Sequence, residues 1–288
     1  MSFAGMTLRC CSKKYKGLKP DNRKCGKMED YRSASLFNIQ GKKAIVTGGT
    51  RGLGREMAIC LLENGCDVVA VSRNIQGNED MLEIAKKSGA NFYLHACDVC
   101  DTDAVVGMVA YARDTMGRID ILVNSAGKNI TRMVTDMDDE SWDSVLDLNL
   151  RANFIVMREV VKVMKEQKYG KIINMSSMKS ILGVSDSGYS AYCASKGAVN
   201  MLSKQIACEV AADHITVNVL APTFIETAIN RHQLADPAFK GALEARIPVG
   251  RIGQFRDLMG PLLLLASDAS EFITGQVILL EGGLAARQ

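Results

Sequence analysis

From residue 42 onward, short runs of apolar, β-branched residues alternate with longer stretches whose apolar positions recur at helical spacing. The strand-like runs fall at 44–47, 67–71, 91–96, 119–123, 171–175, 216–220 and 276–280. The helix-like stretches fall at 53–64, 79–88, 101–116, 141–168, 192–212 and 254–267. Strands that are apolar throughout, rather than at alternate positions, are covered on both faces, and strands of this kind separated by helices predict a parallel sheet. Right-handed crossovers then give an α/β fold, a single domain built on a Rossmann-like, doubly wound parallel sheet. Such sheets bind ligands beyond the carboxyl ends of their strands. The apolar run 261–266 is far shorter than the roughly 18–20 residues of a membrane span, and reads as a buried helix face.

Residues 1–40 show no period. They are expected to form a basic, disordered arm ahead of a domain covering 41–288. Within 1–27 stand eight Lys/Arg against one acid, Asp21, a charge of +7. The whole chain carries +3, so the body carries −4, a mildly acidic balance that argues against a nucleic-acid footprint. The arm is open to three readings: a transit peptide, a tail for an anionic surface, or an extension upstream of a start at Met28, the last being favoured. The nine cysteines are scattered and odd in number, which fits a reducing, cytoplasmic setting better than a disulfide framework. Cys97 and Cys100 form a lone C-x-x-C without a second pair or a histidine cluster, so no metal is expected. Neither a nucleic acid nor a membrane is expected as a partner.

Candidate chemistry begins where the first strand-like run ends, at Thr47-Gly48-Gly49-Thr50-Arg51-Gly52-Leu53-Gly54. Gly48 suits a tight turn, Gly52 a close approach of backbone to a pyrophosphate, and Gly54 close packing of helix on strand. The following helix N-terminus offers unpaired amides to phosphate. Nicotinamide and flavin dinucleotides would fit this turn equally. The second strand closes with Ser72-Arg73-Asn74 and lacks the acid that usually binds a free ribose 2′-hydroxyl. Arg73 and Arg51 suit a 2′-phosphate, so NADP(H) is expected in preference to NAD(H), which the same site also admits.

Tyr192 and Lys196 are four residues apart, on one face of a predicted helix. A tyrosine hydroxyl is a poor base at neutral pH, and an ammonium one turn away is expected to favour the phenolate. With this pair the chain resembles the short-chain dehydrogenases/reductases over residues 40–283. The resemblance rests on the glycine turn, Asp98-Val99, Asn124-Ser125-Ala126-Gly127, Asn149, Ser176-Ser177, the Tyr192/Lys196 pair and Ala221-Pro222-Thr223. It implies an NAD(P)-dependent oxidoreductase that interconverts a secondary hydroxyl and a ketone. By this resemblance Tyr192 is the acid/base, Lys196 tunes it and holds the nicotinamide ribose, Ser177 bonds the reacting oxygen, and Asn149 helps hold a water that relays protons. Asp98 and Val99 would contact the adenine; Asn124, Ala126 and Gly127 would line the cofactor cleft with Pro222; Ile225 and Thr227 would meet the carboxamide. A homotetramer is implied as well. The chain departs from the usual pattern at Ser125 and Thr223, and a longer stretch between Ser177 and Tyr192 leaves the choice between Ser176 and Ser177 open, with Ser177 preferred.

The tail, from Arg246-Ile247-Pro248 through Glu281-Gly282-Gly283, resembles the gluconate 5-dehydrogenase and 2-dehydro-3-deoxy-D-gluconate 5-dehydrogenase branch. A small sugar acid or polyol is therefore the expected substrate, with Arg132 the first choice for its carboxylate and Lys179 and Tyr189 as further substrate contacts. Lys128, Arg231 and His232 stand in other candidate loops, and 224–240 is expected to fold over the substrate. The alternatives are a 3-oxoacyl-carrier-protein reductase or another ketone reductase and, more remotely, a non-catalytic nucleotide sensor.

Overall fold

All seven expected strands form, and they make one parallel sheet in the order β3-β2-β1-β4-β5-β6-β7. They are β1 Lys43–Thr47, β2 Asp67–Ser72, β3 Phe92–Ala96, β4 Ile121–Asn124, β5 Gly170–Met175, β6 Ile215–Pro222 and β7 Val277–Leu280. The computed structural model describes residues 32–185, 187–227 and 231–286, so most of the basic arm expected over 1–40 lies outside the described residues. A short helix, α1 (Ser33–Leu36), precedes β1. The chain order reverses between β1 and β4, where Thr47 faces Asn124 across the ladder. Asn124 in turn faces Asn174, and Met175 faces Leu220. The residues after these strand ends therefore share one edge of the sheet.

The continuous apolar strands are explained by two cores. On one face Ala44, Val46, Val68 and Val123 pack against Leu61 of α2 (Gly52–Glu63), Met81 of α3 (Glu79–Ser88) and Leu262 of α10 (Phe255–Ala266). The apolar run at 261–266 is thus a buried helix face. On the other face Ile45, Val69, Leu122 and Val217 meet Met108 of α4 (Thr102–Met116), Val160 of α6 (Ala152–Gln167) and Ile206 of α7 (Ser190–Val210). Burying both faces drives this layering, at roughly 25 cal/mol per Å² of apolar surface. Among the described residues no helix is long and apolar enough to cross a membrane.

One expectation is corrected here. The single helix expected over 141–168 is three pieces: α5 (Asp139–Leu146), a π-helical turn (Asp147–Arg151) and α6. Asn149, inside the wide turn, bonds to groups outside its own helix, and π-turns of this kind gather at functional sites. The stretch 224–240 contains the short helix α8 (Arg231–Leu234) and the start of α9 (Pro237–Glu244), while residues 228–230 lie outside the described residues. Leu234, Leu243 and Ile252 form a small separate core there, with Phe224 against it.

Candidate active site

The glycine turn is built as its spacing requires. Gly48 has a φ of +67°, and a side chain there would lie 2.9 Å from the Ala126 amide. Gly52 has a φ of +55° and faces open space. A β-carbon on Gly54 would stand 2.2 Å from the Gly48 carbonyl oxygen, so only glycine lets α2 start this close to β1. Arg51 is the N-cap of α2, and no side chain caps that end, which leaves its first-turn amides for an anion.

From this turn a cleft of about 570 Å³ runs along the carboxyl edge of the sheet. At one end stand Ser72, Arg73, Asp98 and Val99, beside Arg51 and Leu53. The Thr50 hydroxyl donates to the Asn74 carbonyl at 3.2 Å and ties the turn to the loop after β2. Asp98 accepts the Cys100 amide at 3.0 Å, which shapes the loop after β3. Burial, with Asp98 and Asp101 nearby, pushes the Cys97 thiol up to about 11. A cradle open at Gly52, closed at Gly48 and Gly54, and facing an uncapped helix end fits a dinucleotide pyrophosphate.

At the other end the cleft is lined by Ser176, Ser177, Tyr192 and Lys196. The two serines are distinguished by their bonds. The Ser176 hydroxyl donates to the Lys196 carbonyl at 3.0 Å and so joins β5 to α7. Ser177 stands close enough to Tyr192 to favour its phenolate, accepts the Lys179 amide at 3.2 Å, and donates weakly to the Pro222 carbonyl at 3.5 Å. Lys196 lies with its ammonium 5.7 Å from the centre of the Tyr192 ring and donates to the Met175 carbonyl at 2.8 Å. Asn149 is buried behind them. It accepts the Lys128 amide and donates to the Lys128 carbonyl, both at 2.9 Å, and donates to the Ser195 hydroxyl at 3.0 Å. Ser195 in turn donates to the Tyr192 carbonyl at 2.8 Å.

The electrostatics differ from the simple expectation for this pair. Burial pushes the Tyr192 hydroxyl above its ordinary range, and Ser177 only partly offsets this. Burial also brings Lys196 down to about 8. Burial is the largest cause for both groups.

Further site expectations are corrected. Arg132, the first choice for a substrate carboxylate, pairs with Asp138 and does not line the cleft. Asn124 does not line it either. Its amide donates to Asn174 at 3.0 Å and to Asn153 at 3.2 Å, a buried polar rivet between β4, β5 and α6. Thr50, Asn149 and Pro222 are likewise absent from the lining, whereas Ala126, Gly127, Ile225, Thr227, Lys179 and Tyr189 are part of it. Sequence reasoning missed Arg246, which enters the lining from the segment between α9 and β7. No spacing marks it; it is placed by tertiary contact, where Val249 donates to the Gly282 carbonyl at 3.1 Å.

The family model described as enoyl-(acyl carrier protein) reductase matches residues 48–285, nearly the whole sheet with its cleft. The chain belongs to the short-chain dehydrogenase/reductase family. It is an NAD(P)-dependent oxidoreductase acting on CH–OH groups. Among its curated relatives is the 2-dehydro-3-deoxy-D-gluconate 5-dehydrogenase of Pseudoalteromonas atlantica, 36% identical over 87% of this chain and 98% of that protein. The 3-oxoacyl-[acyl-carrier-protein] reductase FabG of Escherichia coli is 34% identical over 86% of this chain and 99% of its own. Among solved structures, a gluconate 5-dehydrogenase from Burkholderia cenocepacia in complex with NADP and tartrate is 33% identical, with a TM-score of 0.82 over 89% of this chain and all of that one.

Proposed function

We propose that this protein interconverts a secondary hydroxyl and a ketone on a small sugar acid of the gluconate type, with NADP(H) as its preferred cofactor. The observation that carries the reading is the Ser177–Tyr192–Lys196 cluster at the end of a cleft whose other end is an uncapped helix beside two arginines. A bound nicotinamide supplies or accepts the hydride. Tyr192 gives its proton to the ketone oxygen in reduction and takes it back in oxidation. Ser177, beside Tyr192 in the cleft lining, donates to the same reacting oxygen and steadies the charge that builds there. Lys196 holds a cation beside the phenol and is placed to bond the ribose. Asn149 fixes the Lys128 and Ser195 side of this cluster, and we assign it the holding of a proton-relaying water near Lys196. Asp98 and Val99 serve the adenine, while Ile225 and Thr227 serve the carboxamide. The NADP(H) preference is supported by Arg51 and Arg73 in the lining and by the absence of an acid directly after β2. The working unit we assign is the domain 41–288, assembled as a homotetramer in the cytoplasm, with residues 1–27 dispensable.

A second reading has its own support. Leu182, Val184, Phe224, Leu243, Ile247 and Leu284 give part of the lining an apolar character that suits an acyl chain, as in the carrier-protein reductases among the relatives. The absorbance of reduced nicotinamide separates the two. Turnover of gluconate or 5-ketogluconate, with acetoacetyl thioesters inert, supports the sugar-acid reading. Thioester reduction with sugar acids inert overturns it in favour of acyl-chain chemistry.

A further inference from the structure

Among the cations of the cleft lining, Lys128 donates to the Ser144 hydroxyl, whereas Lys179 and Arg246 have no part in the scheme above. Lys179 stands in the 3₁₀ turn Met178–Ser180 that Ser177 itself caps, two residues from the hydroxyl assigned to the reacting oxygen. Its ammonium lies 5.2 Å from the centre of the Tyr189 ring and 5.9 Å from that of Phe224, so two aromatic faces hold it in place. Arg246 enters the same lining from beyond α9. Burial lowers the Lys179 ammonium's proton affinity, Cys193 offsets part of this, and Arg246 adds a smaller lowering. Neither side chain forms an ion pair among the described residues, in contrast to Arg132 with Asp138 and Arg251 with Asp257. Among the described residues one acid, Asp98, lines the cleft, and it stands after β3, at the adenosine end.

Two like charges brought together, one of them half-buried, are unfavourable unless an anion joins them. A carboxylate between them gains charge-assisted hydrogen bonds from both, and the guanidinium fork can hold it in a fixed direction. We propose that Lys179 and Arg246 form a two-cation clamp for the substrate's carboxylate, selecting acids over neutral polyols and ketoses and fixing which carbon lies against Ser177 and Tyr192. The clamp rests on the sugar-acid reading and makes it more specific. The remote end of the substrate is anchored here, so the apolar wall from Leu182 to Leu284 faces its carbon chain.

The test compares 5-ketogluconate with L-sorbose, which carries the same ketone and hydroxyls but no carboxylate. Lys179→Met and Arg246→Met are each expected to lower the ratio of kcat/KM for 5-ketogluconate over L-sorbose by about 10-fold or more, with the loss in KM, and Arg246→Lys to recover part of it. An unchanged ratio in both variants overturns the clamp. Calorimetric titration of tartrate into the NADP-bound protein reads the clamp without turnover. There each Met variant is expected to weaken binding by a similar factor. If 5-ketogluconate is inert but tartrate binds and the variants weaken it, the sugar-acid reading falls and the clamp stands. If tartrate fails to bind the wild type, or binds all variants alike, the clamp falls.

Discussion

Lys196 keeps an ammonium where water does not reach it. Its side chain is buried, it donates one bond to the Met175 carbonyl at 2.8 Å, and burial brings it down to about 8 from an ordinary 10.5. The sign follows from proton counts. Between these two values the unfolded chain binds more protons than the folded one, so stability from this group rises with pH across that window. The contribution is complete above the unfolded value and is lost as pH falls through about 8. Each unit is worth ~1.4 kcal/mol, so the full swing is about 3 kcal/mol. Lys196→Met has no such titration. Urea unfolding of both proteins from about pH 7 to about pH 10 is expected to move in favour of the wild type by roughly that amount. Parallel stability profiles for the two proteins would refute the buried, uncompensated ammonium.

Gly54→Ala forces a β-carbon to within 2.2 Å of the Gly48 oxygen and is expected to cost about 1–3 kcal/mol of stability and weaken NADP binding; unchanged melting and binding would contradict the close packing. Arg73→Asp is expected to lower the NADP-over-NAD ratio of kcat/KM by about 10-fold or more, and an unmoved ratio means this arginine does not meet the 2′-phosphate. Ser176→Ala should cost ~1 kcal/mol in urea unfolding while turnover survives, through loss of the bond to the Lys196 carbonyl. Ser177→Ala should cut kcat by about 100-fold, and similar kinetic losses in the two variants would show the serines are not divided in this way.

The strands were legible because their apolar runs are nearly continuous, and helix 79–88 appears with the bounds its period implies. The π-turn was not legible, since its cause is tertiary: Asn149 bonds to Lys128 and Ser195, far away in the chain. Helix α9 did leave a signal, Asp236 capping with Pro237 at the first helical position, but its short apolar pattern hid it. The pair Ser176 and Ser177 could not be separated by spacing alone; what separates them is that one hydroxyl reaches the α7 backbone and the other stands beside Tyr192. Arg132 looked like a free cation in a substrate loop, and only the folded chain shows Asp138 beside it. Arg246 was missed for the converse reason. Nothing in its neighbourhood in sequence marks an arginine that has no ion-pair partner among the described residues of the cleft lining.

The central claim is that Tyr192 moves the proton that accompanies hydride transfer. Tyr192→Phe removes that hydroxyl and leaves the cofactor cradle intact. Turnover, followed by the absorbance of reduced nicotinamide, and NADP(H) affinity, followed by its fluorescence, should be measured on the same protein. The account predicts a fall in kcat of at least about 100-fold with an NADP(H) Kd within a few-fold of the wild type. Turnover close to that of the wild type, with the cofactor still bound, would contradict it.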